Sequence, residues 1–142
     1  MMNKKRSNFS LSHEKKFTGD MGRLIPIGWY ETNPGDIIRQ STTALIRMSP
    51  LVTPVMHRVF VRIHHWFVPN RIIWDDWKDF YTGGEDGNNN PVHPYLTLNS
   101  VQEGTLSDYF GVPTKTFSPA LQVSALPYRA YKTIFNEFYP RS

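Results

Sequence analysis

Met56-His57-Arg58-Val59-Phe60-Val61-Arg62-Ile63-His64-His65-Trp66-Phe67-Val68 runs directly into Pro69-Asn70-Arg71-Ile72-Ile73-Trp74-Asp75-Asp76-Trp77-Lys78-Asp79-Phe80-Tyr81. The first half alternates. Val59, Val61, Ile63 and Phe67, with His65, fall on one face, and Arg58, Phe60, Arg62, His64 and Trp66 on the other. A period of two over this length predicts a β-strand, because a helix repeats every 3.6 residues. In the second half the period changes. Ile73, Trp74, Trp77, Phe80 and Tyr81 recur at three and four, so an aromatic-striped helix is expected, capped by Asn70 and stopped by Gly83-Gly84. A long strand feeding a short helix sets the expected class: mainly β with helical insertions.

Working upstream, residues 37–47 read as a second strand, rich in β-branched Ile37, Ile38, Thr42, Thr43 and Ile46. Asn33-Pro34-Gly35-Asp36 before it is a turn, since Pro presets φ at the second position and Gly permits positive φ at the third. Residues 49–54 form a Pro-punctuated link, and residues 24–31 a short extended segment that Pro26 confines to an edge or a strand start. Downstream, residues 86–90 are a loop. Residues 105–110, ending at Gly111, read as a short helical turn followed by a Pro-containing loop. The last element is a helix opening at Leu126-Pro127, with Pro127 at its first position and Pro140 closing it. Its apolar face is Ala130, Tyr131, Ile134, Phe135 and Phe138.

The 142 residues include 11 Pro and 9 Gly, which favours short strands and long connections over a bundle. Such a chain is expected to need a partner, or more of its own polypeptide, to complete a core. Without Cys it has no disulfide, Cys-ligated zinc or thiol chemistry. No apolar run approaches the ~20 residues of a membrane helix, and residues 1–10 are too polar for a secretory signal. The net charge of +4 lies wholly in residues 1–23, where Lys4, Lys5, Arg6, Lys15, Lys16 and Arg23 face only Glu14 and Asp20. These residues are expected to form a basic flexible arm, with residues 24–142 as the body. Lys4, Lys5, Arg6, Lys15 and Lys16 are the candidate cations for nucleic acid, where phosphate contacts release counterions. A solvated tail that aids solubility is the plainer reading of the same charge.

Catalytic and metal chemistry find little support. Asp75 and Asp79 share a helix face, but without a pocket they read as a solvated polar face rather than the acid pair of a carbohydrate hydrolase. His64 and His65 point to opposite strand faces, and His57 lies roughly 26 Å from His65 at strand rise, so no metal cluster is expected. There is no phosphate-binding glycine loop, nucleophile elbow or zinc-protease motif. No cofactor, membrane or small-molecule substrate is expected. Aromatic rings beside cations offer a rival function, a free single-stranded nucleic-acid-binding module. Such rings more often serve as core or interface anchors. The anchor candidates are Phe60, Trp66, Phe67, Trp74, Trp77, Phe80, Tyr131, Phe135 and Phe138.

The same residues carry a family pattern. Phe67-Val68-Pro69-Asn70-Arg71 leading into Trp74 and Trp77 resembles the strand-to-Trp-helix motif of gokushovirus major capsid proteins, of the Microviridae. Pro34-Gly35-Asp36, the link from Pro50 to Met56, the stretch from Leu106 to Pro113, and Leu126-Pro127-Tyr128-Arg129-Ala130-Tyr131 with Asn136-Glu137-Phe138 are similar to further family motifs, in the same order. The arm is similar too, in Arg6-Ser7, Phe9-Ser10 and His13. The resemblance implies a structural protein, not an enzyme. It implies the opening quarter of a longer chain, supplying the first strands of a viral jelly-roll β-sandwich that is incomplete here. The implied partners are other capsid copies, the carboxy-terminal portion of the protein and encapsidated single-stranded DNA. The implied location is the virion of a bacteriophage, assembled in the host bacterial cytoplasm into an icosahedral capsid.

Overall fold

The computed structural model describes residues 7–139. In chain order these residues form α1 (Asn70–Ile73), α2 (Trp77–Thr82), β1 (Tyr95–Ser100), α3 (Leu106–Tyr109), β2 (Thr116–Ser124) and α4 (Leu126–Phe138). Lys4, Lys5, Arg6 and Pro140 lie outside the described residues.

β1 and β2 pair antiparallel, with Leu96 opposite Val123 and Leu98 opposite Leu121. Directly opposed residues share a sheet face, so these four side chains form one apolar face while Thr97 and Gln122 take the other. Backbone bonds close both ends of the ladder: Val101 N–H donates to the Lys115 carbonyl at 3.0 Å, and Ala125 N–H to the Pro94 carbonyl at 2.9 Å. Val101 and Ala125 are both buried. The register slips between Leu98 and Ser100, which pairs with Thr116. Pro119 sits in the slipped stretch of β2, where its missing N–H removes nothing from a regular ladder.

Sequence pattern assigns the stretch after Gly111, which holds β2, to a Pro-containing loop and gives residues 95–100 no element, so the strands lie elsewhere than expected. Neither residues 37–47 nor residues 56–68 belong to a β-ladder among the described residues. The alternation of residues 56–68 specifies two faces, but a strand forms only when neighbouring backbone accepts and donates its hydrogen bonds. Most of the side chains stay exposed: Leu45 by 91%, Phe60 by 77% and Phe67 by 79%. The observed β content is thus a single two-stranded antiparallel sheet, a partial β fold with helices.

Four turn and helix expectations hold. Asp36 N–H donates to the Asn33 carbonyl at 3.1 Å, with Gly35 at φ 87°. α3 and the stop at Gly83, at φ 82°, lie where the sequence pattern puts them. α4 also runs as expected, although Pro127 is its second residue instead of its first. Both positions lack an intrahelical acceptor for N–H, so the proline is equally compatible. The Trp helix differs. It is two short helices broken at residues 74–76, and Pro69, not Asn70, occupies the capping position. Trp74 is extended there, at φ −151° and ψ 111°. The break removes Trp74 from the helical track and turns its ring inward.

The core is small. Trp74, Val101, Tyr109, Ala125 and Leu126 are the buried apolar residues among those described. Accessible surface totals 13194 Å² for 16.5 kDa. A compact monomer of that mass exposes about 7,600 Å². The chain therefore presents far more surface than a self-contained domain does.

Candidate functional site

Two kinds of surface stand out: an ordered aromatic cluster, and an exposed apolar band beside it. The cluster grows from the break between α1 and α2. The Trp74 ring lies 5.0 Å from Phe80, 5.5 Å from His93 and 6.0 Å from Trp77, centroid to centroid. Tyr81 stacks on Trp77 at 6.0 Å. His93 Nε2 bonds Ser124 Oγ at 2.9 Å, which ties the cluster to the end of β2. Ser124 Oγ in turn accepts the Leu126 N–H at the start of α4. Arg129 of α4 donates from Nη1 to the Ile73 carbonyl at 3.0 Å, satisfying an acceptor freed where α1 stops. So a local departure from helical geometry is stabilised by packing and by one long-range bond.

α4 organises the rest. Phe110 meets Tyr128 edge-on at 4.8 Å, and Tyr128 donates to Ser107 Oγ at 3.0 Å, fixing α3 against α4. Tyr131 stacks over Phe135 at 6.5 Å and donates to the Leu24 carbonyl at 2.8 Å. Near the helix end, Phe138 packs on Trp66 at 4.0 Å, and His64 bonds the Tyr139 hydroxyl while stacking on its ring. The structure thus brings Trp74, Trp77 and Phe80 into one cluster. Tyr131, Phe135, Phe138 and Trp66 join along α4. Phe60 and Phe67 remain outside both, exposed to solvent.

The band comprises residues 37–48 and 51–67. Ile37, Leu45, Ile46, Val52, Met56, Phe60, Val61 and Phe67 are each more than half exposed. Gln40 and Thr42 line an open cleft of about 320 Å³ together with Ile63 and His65. The two expected strands therefore face a common space without pairing. Contiguous apolar exposure on this scale marks an interaction surface.

The basic residues near the start divide. Lys16 is exposed, 3.3 Å from Glu14. Lys15 is half-buried, and its ammonium donates to the carbonyls of Pro26, at 2.9 Å, and Tyr109. Burial lowers its pKa, opposed in part by Asp108. The acid pair does not converge. Asp75 is exposed within the helix break, and Asp79 accepts the Asn89 side-chain amide at 2.9 Å, holding the following loop. Neither of the two described clefts is lined by a carboxylate. Among the described residues no group of three or more His, Asp or Glu is placed to hold a metal ion, and no helix is long and apolar enough to cross a membrane.

The described residues thus combine an aromatic cluster, an uncovered apolar band and a small core. The family described as "Capsid protein (F protein)" matches residues 2–142. The chain belongs to this capsid protein family. Among its relatives, capsid protein VP1 of Chlamydia phage 1 is 40% identical over 95% of the chain. Capsid protein VP1 of Bdellovibrio phage phiMH2K is 33% identical over 94%, and that of Spiroplasma virus 4 is 32% identical over 94%. The chain spans about a quarter of their length: 24%, 26% and 25% respectively. The Microviridae capsid resemblance carried by the strand-to-Trp-helix motif is borne out by these relatives. The capsid family corresponds to a structural role.

Sequence reasoning missed several contributors. Lys15 read as a DNA-facing cation, while His93, Val101 and Tyr109 drew no attention as packing residues. The sheet had a legible signal in Leu96-Thr97-Leu98 and Leu121-Gln122-Val123, two alternating stretches masked by Pro119 and by their shortness.

Proposed function

We propose that this chain is part of the shell protein of a small icosahedral single-stranded DNA bacteriophage and acts by self-association. The observation that carries the reading is the mismatch between surface and mass. The excess over a compact monomer is about 5,600 Å², the scale that obligate interfaces bury. Much of the exposed apolar part lies in residues 37–67. In this reading these residues are strands of a jelly-roll sandwich, and they pair with further capsid polypeptide that supplies the missing ladder partners. Phe60 and Phe67 anchor that association, and the Trp74 cluster holds the helical insertion rigid beside it. The virion is the site of action, after assembly in the bacterial cytoplasm. DNA lies on the side of the basic residues Lys4, Lys5, Arg6 and Lys16.

Phe60→Asp tests this. Phe60 is exposed among the described residues, and the melting midpoint of the full-length subunit, measured beside particle yield, separates a folding defect from an assembly defect. The yield of sedimenting particles should fall by at least tenfold, because a carboxylate in a desolvated apolar interface is uncompensated. Wild-type particle yield would remove Phe60 from the interface. Single-stranded DNA binding by unassembled subunits, unaffected by loss of assembly, would instead favour the free binding module.

A further inference from the structure

Residues 13–30 carry the later part of the basic region, yet they are tied to the body by a set of long-range contacts. Lys15 spans from the Pro26 carbonyl to the Tyr109 carbonyl at the end of α3. The Tyr109 hydroxyl returns the connection by donating to the Thr18 carbonyl at 3.0 Å, and the Phe17 ring meets Tyr109 edge-on at 6.0 Å. Tyr131 of α4 holds the Leu24 carbonyl at 2.8 Å. His13 and Tyr30 close the open end, Nδ1 to hydroxyl, at 3.0 Å. Gly19 lies where a Cβ would come within 2.3 Å of Ile25 Cδ1, so the outgoing and returning limbs pack closely there, and a side chain would displace the Ile25 tip. Tyr109 is buried. Each contact alone is modest, but all restrain one loop, and the two tyrosines and the lysine come from separate parts of the sequence.

We propose that Lys15 is a positioning residue, not a phosphate ligand, and that with Tyr109 and Tyr131 it clamps residues 15–26 against α3 and α4. This rests on the reading of the arm as DNA-facing. An ammonium satisfied by two backbone carbonyls is withdrawn from a polyanion, since exchanging those acceptors for phosphate means opening the loop. Lys16, next in sequence, stays in solvent. The clamp thus fixes the point at which the arm leaves the body, and the cations offered to DNA are Lys4, Lys5, Arg6 and Lys16. Lys15 serves to aim them.

The experiment uses the full-length capsid chain, with Lys15→Met and Tyr131→Phe. Methionine keeps the buried stem and removes the donor. Phenylalanine removes only a hydroxyl and changes no charge at neutral pH. The readouts are tryptic cleavage after Lys16 and Arg23, and the salt dependence of binding to a poly(dT) oligonucleotide. A lost phosphate contact on a single strand lowers the log–log salt slope by about 0.7. Expected for both variants is cleavage at least threefold faster, with the slope unchanged. A slope reduced by about 0.7 in Lys15→Met makes Lys15 a phosphate ligand and overturns the proposal. Unchanged cleavage in Tyr131→Phe overturns it as well, and decides the matter if Lys15→Met does not fold. Absence of any binding by the parent chain removes the DNA-facing reading of the arm, while the cleavage comparison still decides the clamp.

Discussion

Replacing Trp74 by alanine tests whether the break between α1 and α2 is the keystone of the body. Trp74 is only 7% exposed and touches Trp77, Phe80 and His93. A buried ring of this kind removes about 200 Å² from water, worth about 5 kcal/mol at ~25 cal/mol per Å². Residual burial in the unfolded chain reduces such figures by roughly 10–40%. The surrounding rings also have room to collapse, because few other described residues are buried. The expected cost is therefore about 3–4 kcal/mol, inside the usual range for losing a core Trp. Trp74→Phe should cost about 1–2 kcal/mol, since a ring still spans Phe80 and His93. Urea unfolding of the full-length subunit, followed by the fluorescence of Trp29, Trp66 and Trp77, reads both. The midpoint should fall with the slope unchanged. A loss below about 1 kcal/mol in Trp74→Ala would refute the reasoning, and would mean that the cluster decorates the body without holding it.

Other outcomes follow from single features. Gly83 adopts φ 82°, and an added Cβ would meet the Gly87 backbone at 3.1 Å. Gly83→Ala should then destabilise by about 1–2 kcal/mol, measured by the same unfolding curve. Alkaline pH separates two residues of the clamp. Burial raises the Tyr131 phenol, so the folded state keeps that proton above ~10, the unfolded value. Its contribution is complete below that pH and is lost as pH rises through the folded value. Burial lowers Lys15, despite the raising effect of Asp108, so the unfolded chain holds that proton longer and stability rises with pH in the window just below ~10.4. Tyr131→Phe should tilt the stability profile upward across pH 9–11, and Lys15→Met should tilt it downward, as read from thermal midpoints. The reverse tilts would contradict the burial of both groups.

The turns and helices were legible from residue chemistry because their determinants are local. Asn33-Pro34-Gly35-Asp36 folds through its own φ preferences, and Gly83 and Gly111 stop helices by accepting positive φ. The apolar face of α4 also follows from spacing alone, as does the family resemblance, which rests on ordered short motifs. What residues 56–68 do could not be read this way. Their alternation states which side chains travel together, yet a strand also needs a neighbour to accept its backbone, and the described residues supply none. In the same way, Pro119 hid a sheet whose register slips at the point where a proline is tolerated.

Composition and pattern by themselves determined that this chain is Cys-free, rich in turns, basic at one end and rich in aromatic residues. Only the tertiary structure decided which aromatics meet. Trp74 leaves its helix to reach His93, a move dictated by packing across more than ten residues of intervening chain, and no periodicity records it. Tertiary contacts also divided neighbouring basic residues. Lys15 and Lys16 are indistinguishable as neighbouring cations in sequence, but one faces two carbonyls and the other faces water, because burial is a property of what surrounds a residue.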